Sequence, residues 1–356
     1  GLPDSIFMDL QDINNDGLIN NIDEIQAYVG DVLLDHHFYE GIGKYDLYFS
    51  GWSDATFSDI SDSTDNSSFI VIQENTSVFE NTLEIIKKPK LGENVRLTGE
   101  DIKINETVLQ KGRKITVADL GLIASLGMGE LKVHKRPKVV FFSTGDELKS
   151  IGSKLGPGDI YDSNRYTLFG MLKKANVDLI DIGVVKDTYE GIKAALVDAK
   201  TKADVIITSG GVSVGEADYI KDVLANIGKV KFWKVSMKPG RPLAFGSIGN
   251  AHFFGLPGNP ISSAACFRFF VYPYLQNILN IKNEKPIKAI LKNNYNKKKL
   301  FTRFVKSKIN TTKNGKIEVQ ILKGQESFRV QSFVKSNIWT LLPSGKARFK
   351  KKQIVD

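Results

Sequence analysis

With 356 residues, 42% hydrophobic and 25% charged, the chain is long enough for several folded domains and is not a disordered polymer. No stretch approaches the ~18 uninterrupted apolar residues of a membrane span, and no charged-then-apolar leader opens it, so a cytoplasmic protein without a membrane partner is expected. The single cysteine, Cys266, excludes an internal disulfide framework and a thiolate zinc site, and its apolar setting reads as packing.

The net charge of +9 is unevenly spread. Residues 1–75 hold fifteen Asp or Glu and one basic residue, Lys44; the remainder holds forty-eight Lys or Arg against twenty-five acids. Such a basic remainder attracts anions, whether nucleic acid or a small phosphorylated or oxyanionic substrate.

In chain order, residues 1–66 form an acidic segment with one helix-like run, 22–34. Just before that run, Asp12, Asn14, Asp16, Asn20 and Asp23 occupy positions 1, 3, 5, 9 and 12 of a loop with Gly17 at 6 and Ile19 at 8, the pattern of a Ca²⁺ loop. An Asp/Asn-rich turn arising in acidic sequence is the competing explanation. Residues 67–136 carry short apolar runs at 69–72, 83–86 and 95–97 between turns, which predicts a β-rich unit, followed by a helix over 117–125 that Gly127 ends.

From 137 to 283 the pattern becomes α/β. Apolar strands at 139–142, 177–180, 205–208 and 253–256 alternate with helix patterns at 165–175, 189–199, 218–227 and 261–279. That alternation predicts a parallel sheet covered on both faces, with ligands at the carboxyl ends of its strands. Residues 284–356 return to short, lysine-rich strands and read as a small β domain.

Four loops leave strand ends in the α/β region: Ser143-Thr144-Gly145-Asp146-Glu147, Asp162-Ser163-Asn164-Arg165, Ser209-Gly210-Gly211-Val212-Ser213-Val214-Gly215-Glu216-Ala217-Asp218, and Leu256-Pro257-Gly258-Asn259-Pro260. Any one alone reads as a turn or a helix cap. Four at one sheet edge point to a ligand, because glycine lets the main chain approach closely and free N–H groups ahead of a helix cradle an anion. The acids beside that cradle would repel a phosphate unless Mg²⁺ lay between them. A fifth segment places Lys234, Lys238 and Arg241 around Pro239-Gly240 next to apolar residues, which suits an oxyanion pocket. Aromatic-interleaved and zinc-finger patterns are lacking, so nucleic acid is not the expected partner.

Together these pieces, with Val95-Arg96-Leu97-Thr98-Gly99-Glu100-Asp101-Ile102 and Gly324-Gln325-Glu326-Ser327, resemble the molybdopterin molybdenumtransferases (MoeA) and the gephyrin E domain, in order and spacing over residues 67–343. The resemblance implies an elongated homodimer with a MogA-like α/β domain between β-rich domains. It further implies that adenylated molybdopterin and molybdate are the substrates, that a divalent cation takes part and that AMP is released. It places functional acids at Asp101, Glu147, Asp187 and Asp218, lysines at Lys234 and Lys238, and a serine at Ser327. Asp218 and Glu147 would hold Mg²⁺. Thr144, Gly145, Asp162, Ser163, Asn164, Ser209, Gly210, Gly211, Ser213, Gly215, Arg241, Pro257, Gly258, Asn259 and Ser327 would contact substrate.

The molybdopterin adenylyltransferase and the molybdoenzymes are the implied protein partners. Residues 1–66 depart from the family, lacking its early Met-Asp-Gly-Tyr-Ala motif. Two alternatives share the resemblance: adenylylation of molybdopterin, and a gephyrin-like non-catalytic scaffold.

Overall fold

The computed structural model describes residues 99–212 and 219–356, with short stretches between 48 and 90. The Ca²⁺-type loop (Asp12, Asn14, Asp16, Asp23), the run 22–34, the strand expected at 95–97, and Ser213, Gly215 and Asp218 lie outside the described residues. The described residues fall into two compact units, one up to Lys132 and one from Val133 to Asp356. No helix among them is long and apolar enough to cross a membrane.

In the first unit β1 (Tyr48–Ser50) pairs antiparallel with β2 (Ser68–Ile70), and β3 (Thr76–Phe79) with β4 (Thr82–Ile85). The expected helix is present as α1 (Val117–Ser125). Thr116 and Asp119 satisfy each other's backbone N–H groups in a capping box. The Arg113 guanidinium, helped by the Thr116 N–H, holds the Asp119 carboxyl at about 2, so this cap stays charged at neutral pH.

The second unit contains two six-stranded sheets, one in its α/β part and one in its β domain. In chain order its start comprises β5 (Lys138–Thr144), β6 (Leu148–Lys149), β7 (Ile160–Tyr161), α2 (Ser163–Lys174), β8 (Asp178–Val185), α3 (Tyr189–Lys202) and β9 (Val205–Ser209). It continues with α4 (Tyr219–Ile227), β10 (Lys229–Lys234), β11 (Met237–Lys238), β12 (Pro242–Ile248), β13 (Ala251–Leu256), α5 (Pro260–Cys266) and α6 (Tyr272–Ile278).

Strand periodicity separates two cores. Val139 and Phe141 pack with Leu168 and Leu172 of α2 and with Ala265, Phe267 and Leu275 of the α5–α6 region. Val140 and Phe142 pack on the other face with Ile192 and Leu196 of α3 and with Ile220 and Leu224 of α4. Both faces are therefore covered, as the near-continuous apolar strands require.

Two features differ from the sequence reading. The sheet order is β10-β12-β13-β9-β5-β8, and only β13, β9, β5 and β8 run parallel; β12 and β10 add an antiparallel edge. Those two strands, interrupted by lysines and glycine, carry no clean apolar run. The expected helix at 261–279 also widens into a π turn at Phe267–Val271, where the Tyr272 N–H bonds to the Phe267 carbonyl. Pro273 explains it: a proline cannot donate and its ring crowds the carbonyl four residues earlier, so the helix opens by one residue to admit it.

The remaining elements are β14 (Ala289–Leu291), β15 (Tyr295–Asn296), β16 (Thr302–Thr311), β17 (Ile317–Ile321), α7 (Val330–Val334), β18 (Ile338–Leu342), β19 (Arg348–Phe349) and β20 (Ile354–Val355). They form a third core around Leu291, Val305, Val319 and Leu342. The sheet is mixed rather than simply antiparallel, since β14 runs parallel to β17 and β11 runs parallel to β16.

Lys306 on β16 is wholly buried. Its amine donates to the carbonyls of Glu326 and Arg329, both at 3.2 Å. Burial pulls its pKa from 10.5 down to about 8; Glu326 opposes the fall, and Arg329 and Arg303 add to it. Between those two values the unfolded chain holds a proton that the folded one releases, so stability rises with pH across that window. The stability of wild type relative to Lys306→Met should therefore increase from pH 7.5 to pH 10 in urea titrations; a difference independent of pH would refute the burial argument.

Candidate active site

Because β5, β9 and β13 are parallel and in register, Ser143, Ser209 and Leu256 end side by side. The loops that follow them leave one edge of the sheet, joined by the loop after β8, whose Val185 pairs with Thr144. The antiparallel strands bring their cations to that edge too: Ala244 pairs with Gly255, and Pro242 with Lys234. The glycine turns and the segment from Lys234 to Arg241, predicted separately, therefore leave the same edge of this sheet.

Asn164, in the first turn of α2, ties three loops together. Its Nδ2 donates to Ser209 Oγ at 3.0 Å and to the Gly258 carbonyl at 2.6 Å. Its Oδ1 is buried without a partner, as is Oδ2 of Asp162, whose Oδ1 caps α2 by accepting from the Arg165 N–H. Both side chains are more than nine-tenths buried, with an acceptor left over beside the glycine loops. Buried acceptors in folded proteins find a partner in protein, ordered water or a ligand, and no protein donor reaches these two. Ser163, by contrast, is exposed.

Gly210 and Gly211 show why bare backbone is needed. At φ +92° a Cβ on Gly210 would overlap the Thr144 carbonyl oxygen, and at φ +65° one on Gly211 would meet Ile220 Cδ1 at 2.6 Å. The Gly210 N–H is used by the Leu256 carbonyl at 3.1 Å, which locks this loop to the next. Pro257 is buried while Gly258 and Asn259 are exposed, so that loop presents its glycine to solvent.

An acidic group lies beside this wall. Thr144 Oγ1 donates to Asp187 Oδ1 at 3.0 Å, and the Glu147 carboxylate folds over Gly145, where a Cβ would meet Oε2 at 2.9 Å. Burial pushes the Asp187 carboxyl above its ordinary value, the Thr144 bond opposes this, and the charges of Asp146 and Glu147 push further. Like charges crowded this way suit a hard cation with oxygen ligands. Among the described residues, however, no three acids, histidines or cysteines converge closely enough to hold a metal ion. Asp146 received no role from the sequence, although it adjoins Glu147 in the same quoted motif.

On the cationic side, Lys238 and Arg241 flank the Pro239-Gly240 turn. This turn is seated on α5: Cys266 Sγ donates to the Gly240 carbonyl at 3.4 Å, and a Cβ on Gly240 would lie 3.2 Å from the Ser262 carbonyl oxygen. Cys266 is buried and its thiol is pushed far up by desolvation, which agrees with a packing role. The start of the same helix accepts the β domain, where the Ile261 N–H donates to the Ser327 carbonyl at 3.0 Å. Thus α5 links the Gly258 loop, the cationic turn and Ser327. Lys234 stands exposed at the end of β10. Asp101 is exposed in the first unit.

Residues 141–277 match a family described as "Probable molybdopterin binding domain", and residues 64–127 match "MoeA N-terminal region (domain I and II)". A molybdopterin molybdenumtransferase of Haemophilus influenzae is 40% identical over 277 residues, covering 77% of this chain and 69% of that protein. Gephyrin of Dictyostelium discoideum is 37% identical over 61% of this chain and 34% of its own length. The crystal structure of the molybdopterin biosynthesis MoeA protein of Pyrococcus horikoshii OT3 superimposes with a TM-score of 0.65 at 27% identity, covering 81% of this chain and 70% of that one.

The two glycine loops should respond differently to a methyl group. Gly210→Ala forces a strained φ against backbone and should cost ~1–3 kcal/mol in urea unfolding. Gly258→Ala has only Gly210 Cα at 3.9 Å and no positive φ, so it should stay within ~0.5 kcal/mol of wild type. Equal losses would contradict the packing described.

Proposed function

The chain belongs to the molybdopterin molybdenumtransferase family, and from that premise we propose that it inserts molybdate into adenylated molybdopterin with release of AMP. The observation that carries this reading is the Asn164 bridge: the first turn of α2 and two glycine-bearing loops form one wall with unpartnered acceptors, and a cationic turn is anchored to the helix that the Gly258 loop begins.

In this reading the loops after β9 and β13 receive the diphosphate, since glycine leaves their backbone open to close approach. Ser209 and Ser213 donate to phosphate oxygens, and the free acceptors of Asp162 and Asn164 take donors from the pterin or the nucleotide base. Lys238 and Arg241, with Lys234 beside them, neutralise the tetrahedral oxyanion and the phosphoryl group. Such a site works by positioning and charge neutralisation and needs no covalent nucleophile. Ser327 closes it from the β domain.

Asp218 and Glu147 are the carboxylates we assign to Mg²⁺, with Asp187 and Asp101 as further functional acids. When bound, Mg²⁺ supplies charge stabilisation to the departing AMP. A homodimer in the cytoplasm completes the proposal, with substrate coming from the molybdopterin adenylyltransferase and product passing to molybdoenzymes.

Purified protein supplied with adenylated molybdopterin, Mg²⁺ and molybdate should release AMP only when molybdate is present. Lys238→Met should raise the molybdate concentration for half-maximal rate about tenfold or more, the order expected for a charge-assisted contact. ATP consumption with adenylated pterin accumulating would assign the preceding step instead, and no reaction at all would leave a scaffold.

A further inference from the structure

Lys238 and Arg241 share one support, the ring of Phe301. The Lys238 amine stands 4.9 Å from the ring centroid and the Arg241 guanidinium carbon 5.8 Å from it. Among the described residues neither cation makes an ion pair with a carboxylate. A carboxylate partner would cancel the charge that an anion has to feel. The face of an aromatic ring attracts a cation through its quadrupole and leaves the formal charge intact.

The ring is itself held in place. The carbonyl of Phe301 accepts from the Lys297 amine at 2.8 Å, and Lys297 is buried against Phe349. The next residue, Thr302, donates its N–H to the Ser236 carbonyl at 3.2 Å, and from there β16 pairs with β11 through Met237–Thr302 and Lys238–Arg303. Phe301 is thus fixed to the strand that bears Lys238, while Gly240 is fixed to α5.

We propose that Phe301 is a positioning residue for the oxyanion subsite: its ring fixes Lys238 and Arg241 side by side with their charges unneutralised. This rests on the molybdate-insertion reading. The sequence held only a faint signal for it, an aromatic residue closing the run Lys297-Lys298-Lys299-Leu300.

The test compares Phe301→Leu, which keeps apolar bulk and removes the ring, with Phe301→Trp, which keeps a cation-binding face. In the AMP-release assay Phe301→Leu should raise half-saturating molybdate roughly three- to tenfold, with kcat and half-saturating adenylated molybdopterin within about twofold of wild type. Phe301→Trp should restore the wild-type molybdate response, and thermal midpoints should show all three proteins folded. Unchanged molybdate saturation in Phe301→Leu, or equal impairment in both variants, overturns the inference while wild-type turnover leaves the insertion reading standing.

If wild type releases no AMP, the insertion reading fails instead. Calorimetric titration with molybdate alone then decides the ring's role: weaker binding by Phe301→Leu than by wild type and Phe301→Trp supports it. Equal binding, or none to wild type, overturns it.

Discussion

Two hydrogen bonds from one amide, Asn164 Nδ2 to Ser209 Oγ and to the Gly258 carbonyl, hold the site wall together. Each loop it joins is otherwise a separate strand-to-helix connection free to take its own course. The bonds work only because the loops already lie adjacent, which follows from parallel strands ending in register. They also require that Gly210 bring its backbone against Thr144, an approach closed to any residue with a Cβ. Wall geometry and glycine content are therefore one constraint seen from two sides.

That wall would be an ordinary α/β edge without the antiparallel extension. The chain runs out along the edge strand β10 and returns through β12 to β13, so that Lys234 and the turn bearing Lys238 and Arg241 sit at the same edge as the glycine loops. The extension is also why α5 matters. It begins at the Gly258 loop and holds the cationic turn through Cys266 and Ser262, so a shift of that helix would move both sides of the site together.

Much of this was legible in the sequence, and the failures have physical causes. The strands at 139–142 and 205–208 announced themselves because burial on both faces demands continuous apolar runs. Helix α1 was placed at its observed span, with Gly127 marking its end, a local signal that needs no tertiary context. By contrast β10 and β12 were missed, since lysines and glycine break their pattern and only pairing with β13 makes them strands. Asp146 and Phe301 carried no local signal strong enough to mark them, for their roles come from neighbours distant in the chain. The π turn at Phe267–Val271 had a visible cause in Pro273, but the periodicity of the helix masked it.

The β domain in the second unit is tied into the site through β16 and through the loop that bears Ser327. β16 pairs with β11 at one end, which sets Phe301 against Lys238, and along its length with β18 and β17. Midway, the buried Lys306 holds the carbonyls of Glu326 and Arg329, and Gln325 brackets its backbone by accepting from the Lys306 N–H and donating to the Lys306 carbonyl. Those bonds fix the loop whose Ser327 carbonyl receives the Ile261 N–H of α5. A charged amine satisfied by carbonyls alone is a costly way to hold a loop if stability were the only return. It becomes intelligible when that loop must meet α5 at a set position, since β16 then fixes the serine and the cation support with one rigid element.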